Sequence, residues 1–144
     1  MLIDVKDLAV AIKIKRGNIH YMAGKYNIFP DRELFGVRTY KRMLYGIRSA
    51  TELKVLAFAS QISSLSSLTY SNFYFPQDYT DNEFFNSYCI VMYNKTIWLK
   101  TLEDIQSVFN ELIEIKMILD IRKLQNDLLY ELENNLQCKS MAKV

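Results

Sequence analysis

Two consecutive stretches decide how the chain reads: Val5-Lys6-Asp7-Leu8-Ala9-Val10-Ala11-Ile12 and Arg16-Gly17-Asn18-Ile19-His20-Tyr21-Met22-Ala23-Gly24-Lys25-Tyr26, separated by Lys13-Ile14-Lys15. Val5, Leu8, Ala9 and Ile12 recur at i, i+3, i+4 and i+7, which is one face of a helix. Asp4 stands where its side chain can cap the first turn. A second helix is expected from about Arg16 to Gly24, with Ile19 and Met22 inward. Two short helices joined by three residues make a helix-turn-helix pattern. The small Ala9 lets the second helix cross closely, Ile14 fills the gap at the turn, and Ile19 packs one helix on the other.

Downstream, Leu34-Phe35-Gly36-Val37-Arg38 is matched ten residues later by Leu44-Tyr45-Gly46-Ile47-Arg48. Aromatic and β-branched residues favour strands, so the two runs are expected to pair as a hairpin connected by residues 39–43. The hairpin and its flanks carry Arg38, Tyr40, Lys41, Arg42 and Arg48. Cations beside one aromatic suit a phosphate backbone or a minor groove. A solvated edge hairpin guarded by Lys and Arg is the alternative. Ser49-Ala50-Thr51-Glu52 has the form of a capping box and predicts a helix from about Ala50. Serines at 63, 64, 66 and 67 mark its end.

Asp7-Leu8-Ala9, Ile14 and Ile19 resemble the helix-turn-helix spacing of bacterial transcription regulators. Tyr26-Asn27-Ile28-Phe29-Pro30 looks like the exit from the recognition helix in the MerR-like and excisionase-like winged helix-turn-helix group. The resemblance covers about residues 2–65. It implies a recognition helix, a β-hairpin wing and a following helix that together bind duplex DNA. The sequence departs from that group at Lys13, where glycine is usual. A lysine there needs a left-handed backbone or a different turn.

Charge divides along the chain in the same sense. Residues 1–60 hold eleven Lys/Arg against five Asp/Glu, while the remainder is acidic, and the whole chain of 144 residues carries only +2. A basic part joined to an acidic part suits a polyanion that touches only one of them.

More than half of the nineteen aromatic residues lie between Tyr70 and Trp98. Residues 71–86 read as an irregular loop, and Tyr88 to Tyr93 with Thr96 to Leu99 as a short hairpin. The aromatics read as core packing, with a small-molecule effector pocket as the less favoured alternative. Apolar residues then recur from Ile105 to Leu136 without Gly or Pro between Thr101 and Cys138, which predicts one long helix or two broken near Asp120. So wide a stripe on a short chain is expected to face a second subunit as well as its own domain, and Leu128 is one position that could face outward.

Nothing in the sequence points to catalysis. His20 is the only histidine, and no P-loop, GxGxxG or GxSxG occurs. Asp78, Asp81 and Glu83 could hold a hard cation, but acids in an Asn-rich loop are more often solvated. Cys89 and Cys138 lack metal-ligand spacing. Asn94-Lys95-Thr96 matches a glycosylation pattern by chance, since neither a signal peptide nor a transmembrane run is expected.

The expected fold is thus mainly α with small β-hairpins (α+β). A winged helix-turn-helix domain spans residues 1–66, an aromatic-rich loop and hairpin 67–100, and a helical dimerisation region 101–144. The expected function is sequence-specific binding of double-stranded DNA by a cytoplasmic homodimer joined through residues 101–138, either a transcription regulator or a plasmid or phage accessory factor. The expected DNA-contacting residues are Lys15, Arg16, Asn18, His20, Tyr21, Lys25, Arg38, Tyr40, Lys41, Arg42 and Arg48. No metal, cofactor or membrane contact is expected. The alternative is a non-enzymatic protein-interaction module of a virus or mobile element.

Overall fold

Asp4 Oδ1 accepts a hydrogen bond from the Lys6 backbone N–H at 2.8 Å, and helix α1 (Val5–Ile12) starts there as its capping residue predicts. In this computed structural model residues 1–35, 41–62, 73–92 and 95–142 are described, with the backbone alone for 32–35, 41–42, 61–62 and 136–142. The chain is an α+β protein with two three-stranded antiparallel sheets. It packs as two units, Met1–Ala57 with Asn126–Val144, and Phe58–Gln125. The region 101–144, expected as one element of organisation, contributes residues to both.

In the first unit, α1 buries Val5, Leu8, Ala11 and Ile12. Ala9, expected at the helix crossing, is only half-buried, and Ala11 is the fully buried small residue. Lys13 ends α1 in the left-handed conformation (φ 61°, ψ 41°). The N–H of Lys13 donates to the Val10 carbonyl at 3.3 Å and that of Ile14 to the Ala9 carbonyl at 3.1 Å. This is the Schellman arrangement, which satisfies the last carbonyls of a helix and usually employs glycine. Helix α2 (Arg16–Lys25) buries Ile19, Met22 and Ala23.

Strand β1 (Leu2–Asp4) pairs with β3 (Lys41–Gly46), which also pairs with β2 (Arg32–Phe35), in the order β1-β3-β2. The expected hairpin therefore exists, in a different frame. Leu34 stands opposite Arg42 and Phe35 opposite Lys41, and β3 ends at Gly46 rather than Arg48. Helix α3 (Ile47–Ile62) begins at once. Ser49 does not open it as a cap, because the turn before it is already helical: the Thr51 hydroxyl donates to the Ile47 carbonyl at 2.7 Å. The Asp31 carboxylate lies over Gly46, where any larger residue's Cβ would stand. Helix α5 (Ile121–Ala142) supplies the fully buried Leu128 to this unit, so Leu128 is core and not an outward flank.

The second unit holds β4 (Tyr88–Met92), β5 (Thr96–Leu99) and β6 (Ile115–Asp120) in the order β5-β4-β6. The hairpin of β4 and β5 is as expected, with Cys89 opposite Trp98. The segment read as an irregular loop contains a short helix, α4 (Asp81–Phe85), held by a reciprocal capping box. The Glu83 N–H donates to Thr80 Oγ1 at 3.2 Å and the Thr80 N–H to Glu83 Oε1 at 2.9 Å.

The single helix over 101–138 is not formed; the break near Asp120 is found, with a helix after it, but what precedes it is not one α-helix. A 3₁₀ segment (Leu102–Glu111) is followed by strand β6, and α5 starts only at Ile121. Residues 117–119 alternate buried, exposed, buried, the period of a strand, and pair with Val91, Ile90 and Cys89. The 3₁₀ segment, through Ile105 and Val108, and Leu112 just after it cover one sheet face against Ile90, Met92 and Leu99. Phe75 and Phe84 pack on Trp98 with ring centroids 5.9 and 5.8 Å away, and the indole N–H donates to the Tyr74 carbonyl at 2.7 Å. Among the described aromatics of this run, Phe73, Phe75, Phe84 and Trp98 are buried, while Tyr74 is exposed.

Candidate nucleic-acid interface

Helix α2 turns Ile19, Met22 and Ala23 inward, so its other faces are presented to solvent. Lys15, Arg16, Asn18, His20, Tyr21 and Lys25 are all exposed, together with Lys13 at the turn. The pattern of burial follows from the 3.6-residue repeat: Gly17, Tyr21 and Gly24 lie at the centre of the outward face, and Arg16 and His20 on one flank of it. No acidic residue occurs between Asp7 and Asp31, so the positive charge of this segment is not offset along the sequence.

Two details shape what this surface can hold. Lys15 occupies the N-cap of α2 without a side-chain hydrogen bond, in contrast to Asp4 on α1. The first N–H groups of α2 lack the usual side-chain acceptor, and they carry the positive end of the helix dipole beside Lys13, Lys15 and Arg16. An anion is favoured there. At the other end, Lys25 Nζ stands 5.9 Å from the Tyr21 ring centre and 5.6 Å from that of Tyr26. These cation–π contacts hold the ammonium at the surface rather than in free extension. Burial, and secondarily Tyr21, raises the Tyr26 hydroxyl pKa, so this phenol stays neutral.

A Cβ built on Gly17 or Gly24 meets nothing within 4 Å, and neither glycine has a positive φ. Glycine is therefore not required there by packing or by backbone conformation, although it weakens a helix. What it provides is a backbone that can approach a flat or grooved partner closely. Neither glycine stands out by residue type alone, and Lys13 stands out only as a non-glycine residue at the turn; the missing acids between Asp7 and Asp31 are the available signal.

The remaining expected contacts separate. Lys41 and Arg42 open strand β3, while Arg38 and Tyr40 lie outside the described residues. Arg48 is corrected: it stands in α3, not on the hairpin, and its guanidinium Nε is 3.8 Å from Glu52 Oε1 one helical turn on. Of the loop acids considered for a cation, Glu83 is bound to Lys100 at 2.8 Å and to the Thr80 cap, and the described residues contain no cluster that could hold a metal. Among the described residues no helix is long and apolar enough to cross a membrane.

No family model, curated protein or solved structure matches the chain.

Proposed function

We propose that this chain is a non-enzymatic, sequence-specific double-stranded DNA-binding protein of the winged helix-turn-helix kind, in which α2 enters the major groove and the β2–β3 hairpin acts as the wing. The observation that carries the reading is the solvent face of α2, where Lys15, Arg16, Asn18, His20, Tyr21 and Lys25 stand exposed with no acid among them. Arg can read guanine and Asn adenine through paired hydrogen bonds. Lys13, Lys15 and the uncapped start of α2 suit phosphate oxygens, which position a protein without reading sequence. The wing would add Lys41 and Arg42.

The protein acts in this reading as a cytoplasmic homodimer paired through its C-terminal third, so that two copies of α2 reach two half-sites. A transcription regulator and a plasmid or phage accessory factor are both served by such a surface. The test is a gel shift on random and selected duplexes at two salt concentrations. With about five phosphates neutralised per subunit, affinity should drop roughly a hundredfold or more between 50 and 200 mM salt. Absence of binding to any duplex at low salt sinks the reading.

A second reading is favoured by the apolar side chains exposed in the same unit. Val10 is 57%, Tyr21 59% and Phe29 73% exposed. A protein-interaction module would use them, and it becomes the better account if DNA is not bound.

A further inference from the structure

The first unit holds a cavity of about 410 Å³ between β1, the start of α1 and the later turns of α5. All the residues that line it belong to that unit, and none of the residues expected to touch DNA is among them. Small-molecule sites typically enclose about 300–1,000 Å³, so the cavity is of a size to hold a ligand. Leu129 and Leu132 are neighbours one turn apart on α5, and with Ile3 of β1 they give the cavity apolar walls. Leu2, which also lines it, is 45% exposed, so the cavity reaches the surface.

The charged side chains around these walls are of one sign. Asp4, Asp7 and Glu133 line the cavity, and among the described lining residues there is no lysine, arginine or histidine. Asp4 already accepts the Lys6 N–H through Oδ1 at 2.8 Å. Glu133 is exposed, and no described residue forms an ion pair with it. Such a rim repels an anion and attracts a cation, more strongly where apolar walls exclude water.

Asn135 supplies the remaining polar group of the wall. Its Nδ2 is shielded from solvent and has no hydrogen-bond acceptor. Buried donors nearly always have a partner, so a lone one beside a cavity marks a hydrogen bond that the protein does not complete by itself. The last torsion of an asparagine is broad, and the amide can turn its donor toward an acceptor in the cavity.

We propose that this cavity binds a small apolar amine that also carries a hydroxyl. The apolar body lies against Ile3, Leu129 and Leu132. The ammonium faces Glu133 and Asp7, and the hydroxyl oxygen accepts from Asn135 Nδ2. Each part of the ligand answers one feature of the wall, so each can be removed separately. The site does not depend on DNA being bound by α2.

Titration of the full chain with phenylethanolamine, followed by methyl and side-chain amide NMR, tests the site. The methyl signals of Ile3, Leu129 and Leu132 and the amide signals of Asn135 should move together, with a dissociation constant on the order of a millimolar. Phenethylamine, which lacks the hydroxyl, should bind about two- to tenfold more weakly. Mandelate keeps the ring and hydroxyl but has a carboxylate in place of the aminomethyl group, and it should bind at least about tenfold more weakly. Glu133→Gln, at an exposed position, should keep the fold and weaken both amines about two- to fivefold. Asn135→Leu should erase the difference between the two amines. The comparison of the three probes on the wild-type chain stands even if that variant fails to fold. Methyl signals that stay fixed with every probe well above a millimolar overturn the site. Mandelate binding as tightly as phenylethanolamine overturns the cationic ligand class. Equal affinity of the two amines for the wild-type chain overturns the role of Asn135, and water then completes its hydrogen bond.

Discussion

Arg48 Nε stands 3.8 Å from Glu52 Oε1, and both side chains are largely buried in the first unit. That one pairing takes an arginine from the expected DNA surface to a half-buried position on α3. The distance is too long for a hydrogen bond through this atom, but the charges lie close in a partly shielded site. Arg48→Ala should therefore lower folding stability by about 1–3 kcal/mol, the range for disturbing a buried charged partner. Lys15→Ala, at an exposed position, should change it by no more than about 0.5 kcal/mol. Urea denaturation of the two variants checks the contrast. Equal midpoints would show that Arg48 is a surface residue after all.

Lys13 tests the helix junction. A non-glycine residue in the left-handed region costs roughly 1–2 kcal/mol, partly regained here by the two hydrogen bonds of the Schellman turn. Lys13→Gly removes the steric cost but adds unfolded-state entropy, so stability should stay level or rise by up to about 1 kcal/mol. Lys13→Val, β-branched at the same φ of 61°, should be the least stable of the three. An unchanged series of denaturation midpoints would mean that the junction has another conformation in solution.

Glu83 carries a pH dependence of known sign. The Lys100 ammonium, hydrogen-bonded to it, and the Thr80 N–H lower its carboxyl pKa from 4.5 to about 2. A pKa depressed in the folded state adds stability that is complete above the unfolded value and is lost as pH falls through the folded one. The contribution of Glu83 should thus fade between about pH 4.5 and 2. Carboxyl NMR should place its titration near the bottom of that window, and Glu83→Gln should make the stability curve flatter there. A Glu83 titration near 4.5 removes the ion pair from the account.

The extent to which the fold could be read from sequence follows from where its information lies. Helix α1 was legible because one stripe, Val5–Leu8–Ile12, and one cap, Asp4, both act within the short run Asp4–Ile12. The β4–β5 hairpin was legible for the same local reason. Strand β6 was not. Its run Ile115-Lys116-Met117-Ile118-Leu119 continues an apolar pattern with no breaker, and only pairing with β4, more than twenty residues earlier, makes it a strand. Short apolar runs do not distinguish the two periods. Strand β1 has three residues and a partner some forty residues away, so no local pattern announces it. On the candidate interface, α2 was legible from the inward Ile19 and Met22. Arg48 was misplaced because the sequence repeat at 34–38 and 44–48 resembles a strand pair, whereas the chain turns helical at Ile47.

Cys89 should be inert in the folded protein. It is fully buried opposite Trp98 and Leu119, and burial pushes its thiol well above the ordinary pKa. The thiolate is the reactive form, so alkylation of Cys89 should require unfolding. Mass mapping after brief iodoacetamide treatment, with and without urea, checks this directly. Rapid native labelling of Cys89 would place the β4 strand at the surface.

Gly17 and Gly24 separate what α2 needs for folding from what it needs for binding. Both have helical backbones, and an added Cβ at either finds open space. Alanine is the better helix former by roughly 0.8–1 kcal/mol per exposed interior site. Gly24→Ala, near the helix end, should gain less than this but should not lose stability, and Gly17→Ala should behave alike. If α2 lies in a DNA groove with its Gly17–Tyr21–Gly24 face foremost, the same methyl groups intrude between backbone and partner. The variants should then be as stable as the parent or more so, yet bind duplex DNA more weakly, with Gly17→Leu weaker still. A protein that makes no close approach along this face would show only the gain in stability. Denaturation midpoints and gel shifts on the same preparations decide it, and unchanged DNA affinity in all three variants would falsify the proposed orientation of α2.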